Sequence, residues 1–331
     1  MKLISNNNIN DPAINLALEE YCVRNLDTEN ENYLLFYINN PSIIIGKHQC
    51  TIEEINSSYV KANNIKIVRR ISGGGAVYHD KGNLNFSFIT KHSNDSINNF
   101  NKFTLPVVET LRSMGVQAEA TGRNDIVVEG RKISGNAQFT NLKSMFSHGT
   151  LLFDSHIEDV VQALNVKAEK IESKGIKSIR SRVANISEFL KEKISIKEFK
   201  DKIIKSIFRE YTTVPRYELS EAEWNFVYEL AESKYRTWEW NYGRSPGFNI
   251  QKVHRFEFGQ VDARIEVLDG IIISIKFYGD FLGYGDTEEV EKQLTGIKFN
   301  ETALLDALKN TDLTGYFGNI SLEDFIKFLY H

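Results

Sequence analysis

A chain of 331 residues suggests one large domain, or a large one with a small companion. Its 41 % hydrophobic and 11 % aromatic residues are enough for a full core and exclude disorder as the main state. A net charge of −4 leaves no overall basic field calling for nucleic acid or an anionic membrane. The two cysteines, Cys22 and Cys50, exclude a disulfide framework and a paired-cysteine zinc or redox motif. Met1 to Asp11 is polar and lacks the apolar segment of a signal peptide. No stretch approaches the roughly eighteen apolar residues that span a bilayer. The expectation is a soluble cytoplasmic protein.

Asp11-Pro12 predicts a helix start, with Asp as cap and Pro in the first helical position. Ile14, Ala17, Leu18, Tyr21 and Cys22 then share one helical face. Tyr33 to Ile38 and Ser42 to Ile45 read as strands broken by Asn39-Asn40-Pro41, and Ile65 to Val68 as a strand feeding a glycine loop. Leu84 to Thr90 alternates as a half-buried strand does. Phe103 to Met114 reads as a helix ended by Gly115. A hairpin over Ile126 to Ile133 and a strand over Gly149 to Phe153 follow. From Asn165 to Arg182 the pattern weakens into a mobile basic loop carrying Lys167, Lys170, Lys174, Lys177, Arg180 and Arg182. Helices occupy Ile186 to Tyr211. The Trp238 to Gly247 stretch breaks the pattern and marks a boundary between 1–245 and 246–331. Strands (Val253 to Phe258, Ala263 to Leu268, Ile271 to Phe277) and helices (Val290 to Leu294, Glu301 to Leu308, Leu322 to Leu329) then make a small α+β unit.

Two glycine-bearing stretches carry the chemistry. Arg69-Arg70-Ile71-Ser72-Gly73-Gly74-Gly75-Ala76-Val77-Tyr78-His79-Asp80 removes three consecutive Cβ atoms and permits positive φ. Amides in such a turn can converge on a phosphate or carboxylate, and the two arginines add forked donors suited to oxyanions. The loop is neither a phosphate-binding P-loop nor a complete dinucleotide fingerprint, and a tight strand-to-strand turn is its alternative reading.

The second stretch runs from Gly122-Arg123-Asn124-Asp125 to Gly130-Arg131-Lys132-Ile133-Ser134-Gly135-Asn136-Ala137. A two-residue Glu129-Gly130 turn would oppose Val128 to Arg131, Val127 to Lys132, Ile126 to Ile133 and Asp125 to Ser134. Asp125, Val127, Lys132 and Ser134 then share a face. Asp125 and Lys132 become diagonal neighbours with Cα atoms roughly 7–8 Å apart, too far for a tight ion pair but suited to holding an anion between them. Such a site fits activation of a carboxylate by ATP. A lysine neutralises charge that builds as pyrophosphate leaves, and Asp125 beside Asn124 can hold magnesium through oxygen ligands.

At these residues the chain resembles the lipoate–protein ligase family in its large form with an accessory C-terminal domain. The resemblance covers nearly the whole chain. It includes Asn15-Leu16-Ala17-Leu18-Glu19-Glu20, Ile45-Gly46-Lys47-His48-Gln49, both glycine stretches, His148-Gly149-Thr150-Leu151-Leu152 and Arg180-Ser181-Arg182-Val183-Ala184-Asn185-Ile186. Cys50 stands where family members typically have Asn. The resemblance implies an α+β, biotin/lipoate-ligase-like catalytic domain (1–245) with a mixed sheet flanked by helices, and an accessory domain (246–331). It implies that lipoate and MgATP give lipoyl-adenylate and pyrophosphate, and that the lipoyl group passes to a lysine of a carrier. Glycine-cleavage H protein and the acyltransferase subunits of 2-oxoacid dehydrogenases are the implied carriers, and a monomer the implied state. By position Lys132 would be catalytic. Arg70, Ser72, His79, Ser134, Ala137 and His148 would contact lipoate or adenylate, with Gly74, Gly75 and Ala76 packing along them. Asn124 and Asp125 would meet the phosphate, Asp125 also the metal. Lys174 and Arg182 would lie in an adenylate-binding loop closing over the intermediate, and the C-terminal domain would move during the cycle.

Other readings stand beside these. Glu19 reads as the solvated face of the first helix, and Glu20 is open. His148 reads as a core histidine or a substrate contact, His79 as a loop cap or a ligand contact. Trp224, Trp238 and Trp240 read as packing anchors. A transferase moving an acyl group from a carrier thioester or amide without ATP, its thioester branch using a cysteine nucleophile, and a non-catalytic binding module are the competing functions. No cysteine follows Cys50, and Lys132 with Asp125 argues against the module.

Overall fold

Asp11 caps the first helix, Pro12–Asn25, by accepting from the Ala13 and Ile14 amides. The helix is buried on nearly every side rather than on one face, and its acids go in with it: Glu19 is 1 % and Glu20 4 % exposed. It packs against a sheet on one side and the Glu221–Leu230 helix on the other. The computed structural model describes residues 1–121, 124–164, 182–242, 249–268 and 270–330, the side chains of 52 and 53 excepted.

Strands are numbered in chain order: β1 Lys2–Ile4, β2 Tyr33–Tyr37, β3 Ser42–Ile45, β4 Lys66–Arg69, β5 Val77–His79, β6 Asn83–Lys91, β7 Ala118–Thr121, β8 Asp125–Val128, β9 Arg131–Thr140, β10 Ser144–Leu152 and β11 Arg216–Tyr217. Eight form a mixed sheet in the order β11-β1-β2-β6-β10-β9-β8-β7, parallel at β11/β1/β2 and antiparallel beyond. The others form a small sheet, β4-β3-β5. The expected half-buried strand is β6, whose residues 83–89 are all buried. It is central, and the first helix packs on one face while the Phe103, Val107 and Leu111 side chains of the Asn101–Ser113 helix fill the other. Alternation in its sequence therefore does not mark a wet face.

In the C-terminal part, β12 Ile250–Phe256, β13 Gly259–Leu268 and β14 Ile271–Gly279 form an antiparallel sheet. Helices Thr287–Leu294, Glu301–Leu308 and Leu322–Tyr330 cover it, around a separate core including Phe277, Phe281, Phe317 and Phe325. The expected boundary after residue 245 falls outside the described residues. Trp224 and Trp240 pack inside, but Trp238 is 63 % exposed and stacks on Tyr242. The four-residue Trp238–Asn241 helix has little inward face, and Asn241 is its buried member.

Arg69 ties the segment after β3 to the Trp238–Asn241 helix. Its side chain, 1 % exposed, donates to the carbonyls of Gly46, Lys47 and Gln49, to those of Trp240 and Asn241, and to the Thr51 hydroxyl. The oxyanion role expected for it does not arise, because these acceptors consume its fork. Lysine cannot reproduce that fork. Arg69→Lys should lower the free energy of unfolding by about 3 kcal/mol, because buried carbonyls lose their donors; urea titration monitored by tryptophan fluorescence measures it.

Candidate active site

The glycine loop between β4 and β5 is folded around Arg70. This guanidinium, 5 % exposed, donates to the carbonyls of Gly73, Gly75 and Ile44 and to Ser72 Oγ. Burial lowers its pKa to about 10. The loop glycines serve different ends. Gly74 alone of the three has a left-handed φ, +89°. A Cβ at Gly73 would lie 2.3 Å from the Phe281 carbonyl oxygen, whereas Gly75 has open space where a side chain would stand.

That open space is a pocket. Arg70, Gly74, Gly75, Ala76 and His79 line it from the loop and β5, Asn124, Lys132 and Ala137 from the hairpin side, and His148 from β10. Leu16, Tyr37, Ile44, Asn85, Asn136 and Thr150 complete much of the wall without having been singled out in the sequence. Arg70, His79 and His148 are buried, whereas the Lys132 side chain is 40 % exposed. The pocket thus has a closed inner end and a mouth at the lysine. Ser72 and Ser134 lie behind its wall. Both are buried: Ser72 Oγ bonds Arg70 and His148, and Ser134 Oγ accepts from Asn136 Nδ2.

The hairpin turns as predicted, with φ of 50° at Glu129 and 73° at Gly130, a type I′ turn. Val128 pairs with Arg131 and Val127 with Lys132. The register then shifts: Ile126 pairs with Ser134 and Asp125 with Gly135. One extra residue in β9 makes this bulge, so the expected opposition of Asp125 to Ser134 fails. The expected gap between acid and base fails too. Lys132 Nζ lies 2.8 Å from Asp125 Oδ1 in an ion pair. The lysine stem runs over Gly135, where a Cβ would meet Nζ at 3.0 Å. Asn124 is held to the facing strand, its side-chain amide donating to the Asn136 carbonyl and its carbonyl accepting from Asn136.

Behind the inner end, Glu19 Oε2 is 2.9 Å from His148 Nδ1, and His148 Nε2 is 2.8 Å from Ser72 Oγ. His148 is therefore both a hydrogen-bonded core group and part of the wall. Glu19 supports it and is not on a solvated face, a partnership 129 positions apart that helix spacing alone cannot reveal. Glu20 is structural: Lys234 and Tyr235 of a π-helical turn, with Arg24, bind its carboxylate. His79 Nδ1 bonds Asn39 Nδ2 at 3.0 Å. Neither cysteine lines the pocket, and both are buried.

The C-terminal part reaches the loop. Gly74 N–H donates to the Phe281 carbonyl, Gly279 N–H to the His48 carbonyl, and Phe281 stacks on the His48 ring at 4.5 Å. Lys174 and most of the expected adenylate-binding loop lie outside the described residues. Arg182, at its end, has an exposed side chain, and its carbonyl accepts from the Lys132 amide at 2.7 Å.

Burial, then the nearby positive charge of Arg70, lowers the His79 pKa from 6.5 to about 3. The unfolded chain takes up this proton below about 6.5 and the folded protein only below about 3, so acidification between those values favours unfolding. His79 should contribute a loss on the order of 1 kcal/mol per pH unit from pH 6 to pH 4. Urea midpoints of wild type and His79→Gln across that range measure it, and the variant should show the flatter profile.

Known proteins share this sequence and architecture. The family description "Lipoyl protein ligase A/B catalytic domain" matches residues 11–208, and "Bacterial lipoate protein ligase C-terminus" matches 245–329. The lipoate-protein ligase LplJ of Bacillus subtilis is 56 % identical, over 100 % of both chains. Lipoate–protein ligase 1 of Staphylococcus aureus is 53 % identical, over 99 % of this chain and 100 % of its own. Among solved structures, P. falciparum LipL1 in complex with lipoate superposes with a TM-score of 0.80 at 25 % identity, covering 99 % of this chain and 97 % of its own. A bi-partite lipoate protein ligase with its E2 lipoyl domain from Thermoplasma acidophilum gives 0.66 at 31 % (75 % and 98 %), and a lipoate-protein ligase A bound with ATP gives 0.63 at 29 % (73 % and 98 %). Sequence, fold and pocket together place this chain in the lipoate–protein ligase family.

Proposed function

We propose that the pocket activates free lipoate with ATP and that its mouth passes the lipoyl group to a lysine of a lipoyl-carrier protein. A lipoate carboxylate oxygen bonds to the α-phosphorus and pyrophosphate leaves. The carrier amine then attacks the acyl carbonyl, AMP leaves and the amine proton is lost to solvent. The observation that carries this reading is a cation, Lys132, at the mouth of a pocket whose other end is closed. There it neutralises the two anions that must meet and the charge on the departing pyrophosphate. The acyl chain then runs inward past Gly75 and Ala76 toward His79 and His148.

Asp125 is half of the 2.8 Å pair with Lys132, and a substrate anion at the lysine replaces it. Released, its carboxylate can take the magnesium that accompanies ATP. Among the described residues no group of three metal-ligating side chains occurs. One carboxylate plus substrate phosphates suits magnesium, which is usually bound through one or two carboxylates, phosphates and water. Residues 1–245 act as the catalytic domain and 246–331 as the accessory domain, which moves during the cycle and in doing so breaks the Gly74–Phe281 bond. Lys174 and Arg182 belong to the loop that covers the adenylate.

Lipoyl domains are the carrier class, as in the Thermoplasma pair. Glycine-cleavage H protein and 2-oxoacid dehydrogenase acyltransferase subunits are the specific carriers in this reading, and the enzyme works as a cytoplasmic monomer. Among the described residues no helix is long and apolar enough to cross a membrane. Cysteine-dependent acyl transfer finds no support, since no cysteine lines the pocket.

Incubation with MgATP, lipoate and unmodified H protein should give pyrophosphate and a lipoyl mass gain on the acceptor by intact mass spectrometry. Lys132→Ala should cut pyrophosphate release at least a hundredfold with an unchanged circular dichroism spectrum. Wild-type activity in the variant would remove Lys132 from the mechanism.

A further inference from the structure

The inner end of the pocket contains an unmatched hydrogen-bond donor whose position follows from an asparagine ladder. The Ile9 carbonyl, which can only accept, receives Asn15 Nδ2 at 2.9 Å. That orients the Asn15 amide, and the same nitrogen donates to Asn39 Oδ1 at 2.9 Å. Asn6 Nδ2 donates to Asn15 Oδ1 at 3.2 Å and to the Ile9 carbonyl, consistent with that orientation. With its oxygen engaged by Asn15, Asn39 presents its NH₂ group to His79 Nδ1. An amide nitrogen only donates, so Nδ1 must be the acceptor and the neutral ring carries its proton on Nε2. The ring, 3 % exposed, lines the pocket, and Nε2 is buried with no hydrogen-bond partner among the described residues. Asn6, Asn15 and Asn39 are all buried, Asn15 and Asn39 completely.

A buried donor without an acceptor is costly and rare in folded proteins. Here it lies in the wall of a ligand pocket, where a ligand atom can supply the acceptor. Lys132 stands at the mouth, so an acid anchored there by its carboxylate sends its distal end to this region. A plain alkyl terminus offers no lone pair; a dithiolane offers two sulfur atoms.

Resting on the reading that the pocket takes lipoate, we propose that His79 is a specificity-determining residue whose Nε2–H donates to a dithiolane sulfur, with Asn39, Asn15 and Asn6 as the positioning residues that keep the proton on Nε2. The contact favours lipoate over a simple fatty acid of the same chain length. Sulfur is a weak acceptor, so the effect is about tenfold rather than absolute.

The test compares kcat/KM for pyrophosphate release with lipoate and with octanoate, together with long-range ¹H–¹⁵N NMR of the histidine rings. Wild type should prefer lipoate and show His79 as the Nε2–H tautomer. His79→Phe should reduce the lipoate-to-octanoate ratio about tenfold, and His79→Gln, which keeps an N–H donor, should restore most of it. Asn39→Ala should give a mixed-tautomer His79 signal and an intermediate ratio. An Nδ1–H tautomer in wild type overturns the proposal even if no variant folds. Equal losses with both acids in His79→Phe overturn it while leaving the ligase reading intact. Absence of pyrophosphate from wild type with either acid defeats the ligase reading and this inference with it.

Discussion

The site depends on two neighbouring guanidinium groups that bind the protein's own backbone. Arg69 gathers the carbonyls of residues 46, 47 and 49 with those of 240 and 241, and Arg70 gathers those of 44, 73 and 75. Charged donors make stronger hydrogen bonds than neutral ones, which offsets the desolvation of two buried cations. A trans peptide holds its N–H opposite its C=O. By drawing the Gly73 and Gly75 carbonyls inward, Arg70 turns the amides of Gly74 and Ala76 away from itself. The arginines thus shape the loop, and the loop in turn leaves the space beside Gly75 open to the pocket.

The pocket is assembled on one edge of this framework. β5 brings His79, β10 brings His148, and the hairpin brings Lys132, each to a different part of the wall. The first helix supplies Leu16 to the wall and Glu19 behind it. The polar inner end is unusual for an acyl-chain site, because polar groups without partners oppose an alkyl tail. Its polarity is organised, with Glu19, His148, Ser72 and Arg70 in one chain of contacts and the asparagines with His79 in another.

Much of this was legible from local signals. Asp11-Pro12 announced the helix cap, Glu129-Gly130 the two-residue turn, and the glycine loop and Lys132 two of the segments that line the pocket. The failures have common causes. Pairing in the hairpin was readable for two positions beyond the turn, then lost at a bulge that no residue type marks. That bulge, with the reach of a lysine stem, accounts for the ion pair that strand spacing did not foresee. Glu19 and Asn39 were opaque because their partners are 129 and 40 positions away. The burial of β6 on both faces depends on one helix far before it and another after it in the chain. Ser72 and Ser134 belong to the right segments, but neighbours in a strand or loop do not all face the same cavity.

The Gly74 amide has a single hydrogen, and here the Phe281 carbonyl of the C-terminal part accepts it. Any anion that requires this N–H must compete with that contact. Thermodynamic reciprocity then applies: the factor by which docking of the C-terminal part weakens such a ligand equals the factor by which the ligand weakens docking. A short loop thereby becomes an exchange point where occupancy of the pocket and the position of a distant sheet report on each other, through one shared proton donor.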